Sequence, residues 1–206
     1  MTSADFPEAL RHLVRIAAAV AGATPGVIRR VMTEAKEHVD PAQVDEVLLQ
    51  SYLFAGLPRA LNATTLWRDI SGVAAPEHDA PTATGTLATW ERDGDVACRT
   101  VYGRVYESLR RNIRALHPAF DQWMIVDGYG KVLSRPGLDL IQRELCVVAA
   151  CAAAQQVPQL RSHVRGARNS GATRDQIAQT IAALTDVIPL EAMTMAREQL
   201  VGLKDL

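Results

Sequence analysis

The chain has 206 residues, 48% of them hydrophobic, which is enough for a substantial core in one large domain or two small ones and excludes global disorder. With 22 basic and 23 acidic residues the net charge is −1, and nothing in that balance points to nucleic acid or an anionic membrane as partner. Aromatics are only 5% and alanine dominates the apolar set, a composition that favours closely packed helices over sheets and an all-α fold.

The first expected helix runs from about Phe6 to Ala21 and stops at Gly22. Thr24-Pro25-Gly26 interrupts the pattern, and a second helix covers Val27 to about Lys36. Asp40-Pro41 reads as an N-cap followed by proline at the first helical position, opening a third helix up to Gly56. Pro58 starts a fourth, through Trp67. The apolar run Leu13 to Ala23 follows Asp5, Glu8 and Arg11, an acidic flank unlike that of a signal peptide.

Residues 69–97 change character. Prolines, glycines and acids recur there without periodicity, which predicts a linker or long surface loop, able also to wrap a neighbouring subunit. Helices resume at about Cys98, run to Leu116, and continue from Pro118 to about Lys131. Ser134-Arg-Pro-Gly marks a sharp turn before a long apolar helix, Leu138 to Ala154, too short to span a bilayer. Pro158 falls in the first turn of the next helix, which ends at Gly171. Thr173-Arg-Asp-Gln176 has the form of a capping box, and Pro189 separates the last two helices.

An internal repeat links the two ends of the chain at an offset of about 132 residues with one slip: Glu34 to Ala63 parallels Arg165 to Ala196, and Arg11-His-Leu-Val parallels Arg143-Glu-Leu-Cys. The division expected is a first, degenerate helical repeat over 1–68, a loop or linker over 69–97, and a second repeat over 98–206. The alternative is that all of it forms one compact domain.

The chemistry-bearing residues fall in the second repeat. On a helix, Gln156, Gln159 and His163 are spaced i, i+3, i+7 and share a face, and Glu144 on the preceding apolar helix can fold back against it. Polar groups inside an apolar region are costly unless paired or used. The plainer readings are a structural histidine, a Glu144 paired with Arg143 or Arg135, and solvent-facing glutamines. The first repeat has His12, Thr24, Val27 and Val31 at the four positions and so lacks the cluster. No second histidine or acid stands at ligand spacing from His163, so no metal is expected there. The cysteines, Cys98, Cys146 and Cys151, are odd in number and form no CxxC, which fits reduced thiols in a cytoplasm. Cys98 is expected to begin a helix, where a thiol can be acidified.

The order and spacing of several segments resemble the carboxymuconolactone decarboxylase and alkylhydroperoxidase D superfamily. These are Arg135-Pro-Gly-Leu-Asp, Arg143-Glu-Leu, Ser162-His-Val-Arg-Gly-Ala-Arg-Asn-Ser-Gly-Ala-Thr and, in the first half, Glu46-Val-Leu-Leu-Gln-Ser-Tyr-Leu-Phe-Ala-Gly-Leu-Pro-Arg-Ala. Arg99-Thr-Val-Tyr-Gly and Gly128-Tyr-Gly-Lys-Val-Leu-Ser-Arg-Pro also resemble the N-terminal part of γ-carboxymuconolactone decarboxylases. The resemblance implies an alkylhydroperoxidase D-like helical bundle with an internal duplication. In the peroxidase branch a Glu is followed by CxxC and then His; aligned on Glu144 and His163, the two cysteine positions hold Gln156 and Gln159. An amide cannot replace a thiolate, so the resemblance favours the cysteine-less decarboxylase branch.

That branch implies a cofactor-free acid/base enzyme of lyase type acting on a small carboxylated lactone or related intermediate of aromatic catabolism. His163 would be the acid/base and Glu144 its partner. Gln156 and Gln159 would face an oxygen that gains charge, and Arg99, Arg161 or Arg165 would hold a substrate carboxylate. The alternatives are an antioxidant protein of alkylhydroperoxidase type using its cysteines in another way, and an oligomeric member without catalysis. The expected partners are a small-molecule substrate and further copies of the chain, a trimer first and a dimer second, with neither nucleic acid nor membrane.

Overall fold

The computed structural model describes residues 6–201, and these contain helices and turns and no strand. The first four helices are α1 (Glu8–Gly22), α2 (Pro25–Ala35), α3 (Pro41–Ala55) and α4 (Leu57–Ser71). Three of them carry proline in the first turn, where no backbone N–H is needed, and the Asp40 carboxylate caps α3 by accepting from the N–H of Ala42 at 3.0 Å. The last four are α9 (Leu140–Ala153), α10 (Val157–Asn169), α11 (Arg174–Ala182) and α12 (Leu190–Val201). Capping boxes open α9 (Asp139 with Gln142) and α11 (Thr173 with Gln176).

These two sets are the repeat made visible. The first two helices of each set start 132 residues apart and the other two 133 apart, so the slip lies in the turn between the second and third helices. The helices that keep this offset in the second half begin at Leu140. α1 packs along α9 and α3 also meets α9, so the two sets share one core. Leu13, Val14, Val20, Leu145, Val147 and Val148 are fully buried in it.

Between the sets lie α5 (Ala80–Thr84), α6 (Leu87–Tyr102), a 3-10 turn (Gly103–Val105), α7 (Tyr106–Leu116), α8 (Pro118–Trp123) and a π-helical segment (Met124–Leu133). The loop expected over 69–97 is thus confined to 72–79 and 85–86, and α6 begins ten residues before that expectation ends. Its N-terminus is a capping box of Thr86 and Thr89. Gly94, which reads as a breaker, sits inside α6 because a side chain there is impossible: its Cβ would lie 2.0 Å from the Ile125 carbonyl oxygen. Gly130 is the reciprocal contact, its Cβ falling 1.9 Å from the Trp90 carbonyl oxygen. Two glycines thus let α6 and the π-helical segment touch backbone to backbone. The helix expected from Cys98 to Leu116 is broken at Gly103, whose φ of 51° ends α6, and the Asn169 side-chain amide donates to the freed Val101 carbonyl at 2.8 Å.

A charged network anchors the start of α9. Arg143, fully buried, reaches Glu46 at 2.8 Å and the carbonyls of Arg135 and Pro136 at 2.8 and 3.0 Å. Arg135 in turn holds Glu46 and Asp79, and Gln50 donates to the Arg143 carbonyl at 3.0 Å. The arginines beside Glu144 are therefore taken by other acids.

Candidate functional site

Glu144 lies in the second turn of α9 and His163 in the middle of α10, and the crossing of the two helices brings them together. Nδ1 of His163 is 2.9 Å from Oε2 of Glu144, with the carboxylate fully buried and the imidazole 7% exposed. An ionised carboxylate only accepts, so the proton in this bond belongs on Nδ1, which leaves Nε2 as the nitrogen free to exchange a proton. Oε1 of Glu144 is buried with no hydrogen-bond partner. Gly166, one turn beyond His163, makes the approach possible: a Cβ there would fall 2.6 Å from Oε2 of Glu144 and 2.5 Å from Val101.

The imidazole is walled by aromatic rings. Phe54 of α3 meets it edge-on at 5.9 Å, and Tyr102 of α6 at 6.4 Å. Tyr129 of the π-helical segment stands edge-on to Tyr102 at 6.1 Å. Burial pushes both phenols above their usual range, and the nearby Glu144 adds to this, so both keep their protons at neutral pH. These three rings are what reading the sequence for polar clusters misses. Their signal is weak, because a tyrosine or phenylalanine among apolar residues reads as core.

The remaining residues singled out in the sequence do not join the pair. Gln155 adopts φ 54°, which turns the chain so that Gln156 is the N-cap of α10 rather than part of its face. The Gln156 side chain is exposed and donates to the Ala154 carbonyl at 3.2 Å; Gln159 is also exposed. Arg161 is exposed and donates to Gln199 at 2.5 Å, and Arg165 is exposed. Arg99 is exposed too, bound to Asp95 at 2.7 Å and Glu107 at 2.9 Å with its guanidinium over the Tyr106 ring. The expected convergence of four polar groups reduces to two.

The thiols are also placed differently. Cys98 is not at a helix start but deep in α6, and all three cysteines are buried. Burial pushes each thiol up to about 12, the opposite of acidification. A cavity of about 460 Å³ lies between α3, α4 and the π-helical segment and is lined by Tyr52, Leu61, Arg68 and Lys131 among others; neither Glu144 nor His163 lines it.

The segment that carries both members of the pair, residues 119–199, matches the model of the Carboxymuconolactone decarboxylase family. That match supports the carboxymuconolactone decarboxylase and alkylhydroperoxidase D-like superfamily. Among curated members it is similar to 4-carboxymuconolactone decarboxylase of Acinetobacter baylyi, 32% identical over 70 residues covering 34% of this chain and 52% of that one. A longer match is to Peroxisomal protein 2 of Schizosaccharomyces pombe, 29% identical over 170 residues, 81% of this chain and 79% of that one. Peroxisomal protein 2 of Saccharomyces cerevisiae is 24% identical over 161 residues, 66% and 57% of the two chains. The chain thus spans little more than half the length of two of these three relatives. Among the described residues no helix is long and apolar enough to cross a membrane.

Proposed function

We propose that this superfamily member is a cofactor-free acid/base enzyme of lyase type, acting on a small carboxylated lactone or related catabolic intermediate. The observation that carries the reading is the buried Glu144–His163 pair at 2.9 Å, in a setting whose thiols are protonated and whose α10 lacks cysteines. In a decarboxylation the C–C bond to the carboxylate breaks, CO2 departs, and the electron pair moves into the conjugated lactone or enolate system. Nε2 of His163, having first taken a proton from water, gives it to the carbon left behind, and Glu144 steadies the ring through the Nδ1 proton as the imidazolium returns to neutral imidazole. Tyr102 and Tyr129, neutral donors beside the pair, suit an oxygen that gains negative charge. Phe54 and Tyr102, the rings set against the imidazole, flank the approach to Nε2.

The test is to offer γ-carboxymuconolactone to the purified protein and to a His163→Gln variant while CO2 release is followed. Turnover by the parent chain and its loss in the variant is the expected result. No turnover by the parent removes the substrate class, and equal turnover by the variant removes the mechanism. The oligomer belongs to the same proposal, a trimer first and a dimer second, to be read by light scattering. So does the compartment: three reduced, buried thiols suit the cytoplasm or another reducing compartment. The names of the two yeast relatives support weighing the peroxisome as well.

A second reading is a member that binds without catalysis. It is favoured by the burial of the pair, with Glu144 at 0% and His163 at 7% exposure. A bound lactone with no turnover in that same assay is its signature.

A further inference from the structure

The first half has its own polar grouping, at the place where the repeat puts the counterpart of Glu144. His12 holds that position on α1, and Glu8 stands one turn before it, the i, i+4 spacing that puts two side chains on one helix face. The third member, His38, comes from the turn after α2, and its ring stacks on that of His12 at 5.0 Å with 11° between the planes. One ligating atom from each of the three lies within 4.8 Å of the others. Nδ1 of His38 is already 3.5 Å from Oε1 of Glu8, and two ligands at zinc bond lengths on a tetrahedral ion stand about 3.4 Å apart.

The second observation concerns His12 itself. Its Nδ1 is shielded from solvent and has no hydrogen-bond partner. Most buried ring nitrogens are satisfied by protein or water, so an orphaned one beside a second imidazole and a carboxylate is a vacant donor position. Only His38 and Glu8 need to swing inward, and both are exposed with rotatable side chains.

We propose that Glu8, His12 and His38 form a binding site for one divalent first-row metal ion, with Zn2+ the best match to two imidazoles and a carboxylate. The site ties the start of α1 to the turn closing α2, which are separate elements of the first half. Three protein ligands leave the fourth position to water. The site does not depend on the proposed chemistry at Glu144 and His163, so neither proposal falls with the other.

The experiment is calorimetry and equilibrium dialysis of the purified full chain with Zn2+ alone, followed by thermal unfolding with and without the ion. The expected result is one ion per chain, a Tm that rises with Zn2+ concentration, and affinity at least about tenfold weaker in Glu8→Gln and in His38→Asn. Both substitutions are at exposed positions, so loss of folding does not mask the answer; His12→Asn serves as the third, checked for an intact fold by circular dichroism. Absence of retained metal in the parent chain overturns the proposal. So does retention undiminished in the Glu8 and His38 variants, or abolished instead by His163→Gln.

Discussion

At the scale of single residues, the Glu144–His163 contact is a buried polar pair with one unsatisfied oxygen, and its energetics are asymmetric. Removing His163 alone leaves both carboxylate oxygens of Glu144 without partners inside an apolar shell. His163→Ala is therefore expected to lower the unfolding free energy by about 3 kcal/mol, as for other broken buried pairs. Replacing both groups with apolar ones, Glu144→Leu with His163→Leu, removes the stranded acceptor, so the double variant should lose less than the single one. Urea unfolding of the parent, the single and the double variant gives the comparison, and a double variant that loses as much as the single one would contradict the asymmetry. The cysteines supply an independent check. With Cys98 and Cys146 at 0% exposure and Cys151 at 2%, and all three thiols raised by burial, a thiol-reactive chromophore should label none of them in native buffer and all three in denaturant. Rapid native labelling of any one would restore the thiol-based alternative.

At the scale of elements, what was legible in the sequence is what backbone chemistry writes locally. Pro41, Pro118 and Pro158 each fall in the first turn of a helix, and Thr173 with Gln176 closes the capping box its spacing announced. What was not legible depends on partners distant in the chain. Gly94 between two aspartates has the local signature of a turn, yet it is helical, because Ile125 and Gly130 occupy the space a side chain would need. Gln156 matched the face of His163 by spacing, but the positive φ of Gln155 starts the helix after it. The π-helical turn from Met124 was equally silent. The glycine argument has a direct consequence. Gly94→Ala should cost at least about 2 kcal/mol, because overpacking here meets carbonyl backbone rather than a flexible side chain. Gly26→Ala, in the first turn of α2 with nothing within 4 Å of its would-be Cβ, should instead be neutral or stabilising by up to about 1 kcal/mol. Thermal unfolding of the two variants in parallel decides it; equal losses would mean that the α6 crossing is not the constraint.

At the scale of the whole molecule, the duplication must hold two like halves together while only one carries the Glu–His pair. The shared α1–α9 core does most of this, and an ion-pair network adds a fastening at the surface. Asp186, in the connection between α11 and α12, accepts from Arg15 of α1 at 2.5 Å and from Arg30 of α2 at 2.6 Å, and Glu34 closes the network by pairing with both arginines. The Arg15 guanidinium, with Arg30 beside it, holds the Asp186 carboxyl well below the usual carboxylate range, and burial opposes this only in part. A depressed carboxyl pKa means that the unfolded chain binds the proton first as pH falls. The contribution of Asp186 is thus fully present above an unfolded carboxyl pKa of about 4 and fades as pH falls below it. Because the Asp186 side chain is 51% exposed, water and salt screen the network, and its worth near neutrality is on the order of 1 kcal/mol. Asp186→Asn should then lower the urea midpoint at pH 7 and bring it towards that of the parent chain as the pH drops to about 3. A gap between the two proteins that stays constant over that range would mean that Asp186 fastens the halves through geometry rather than through its charge.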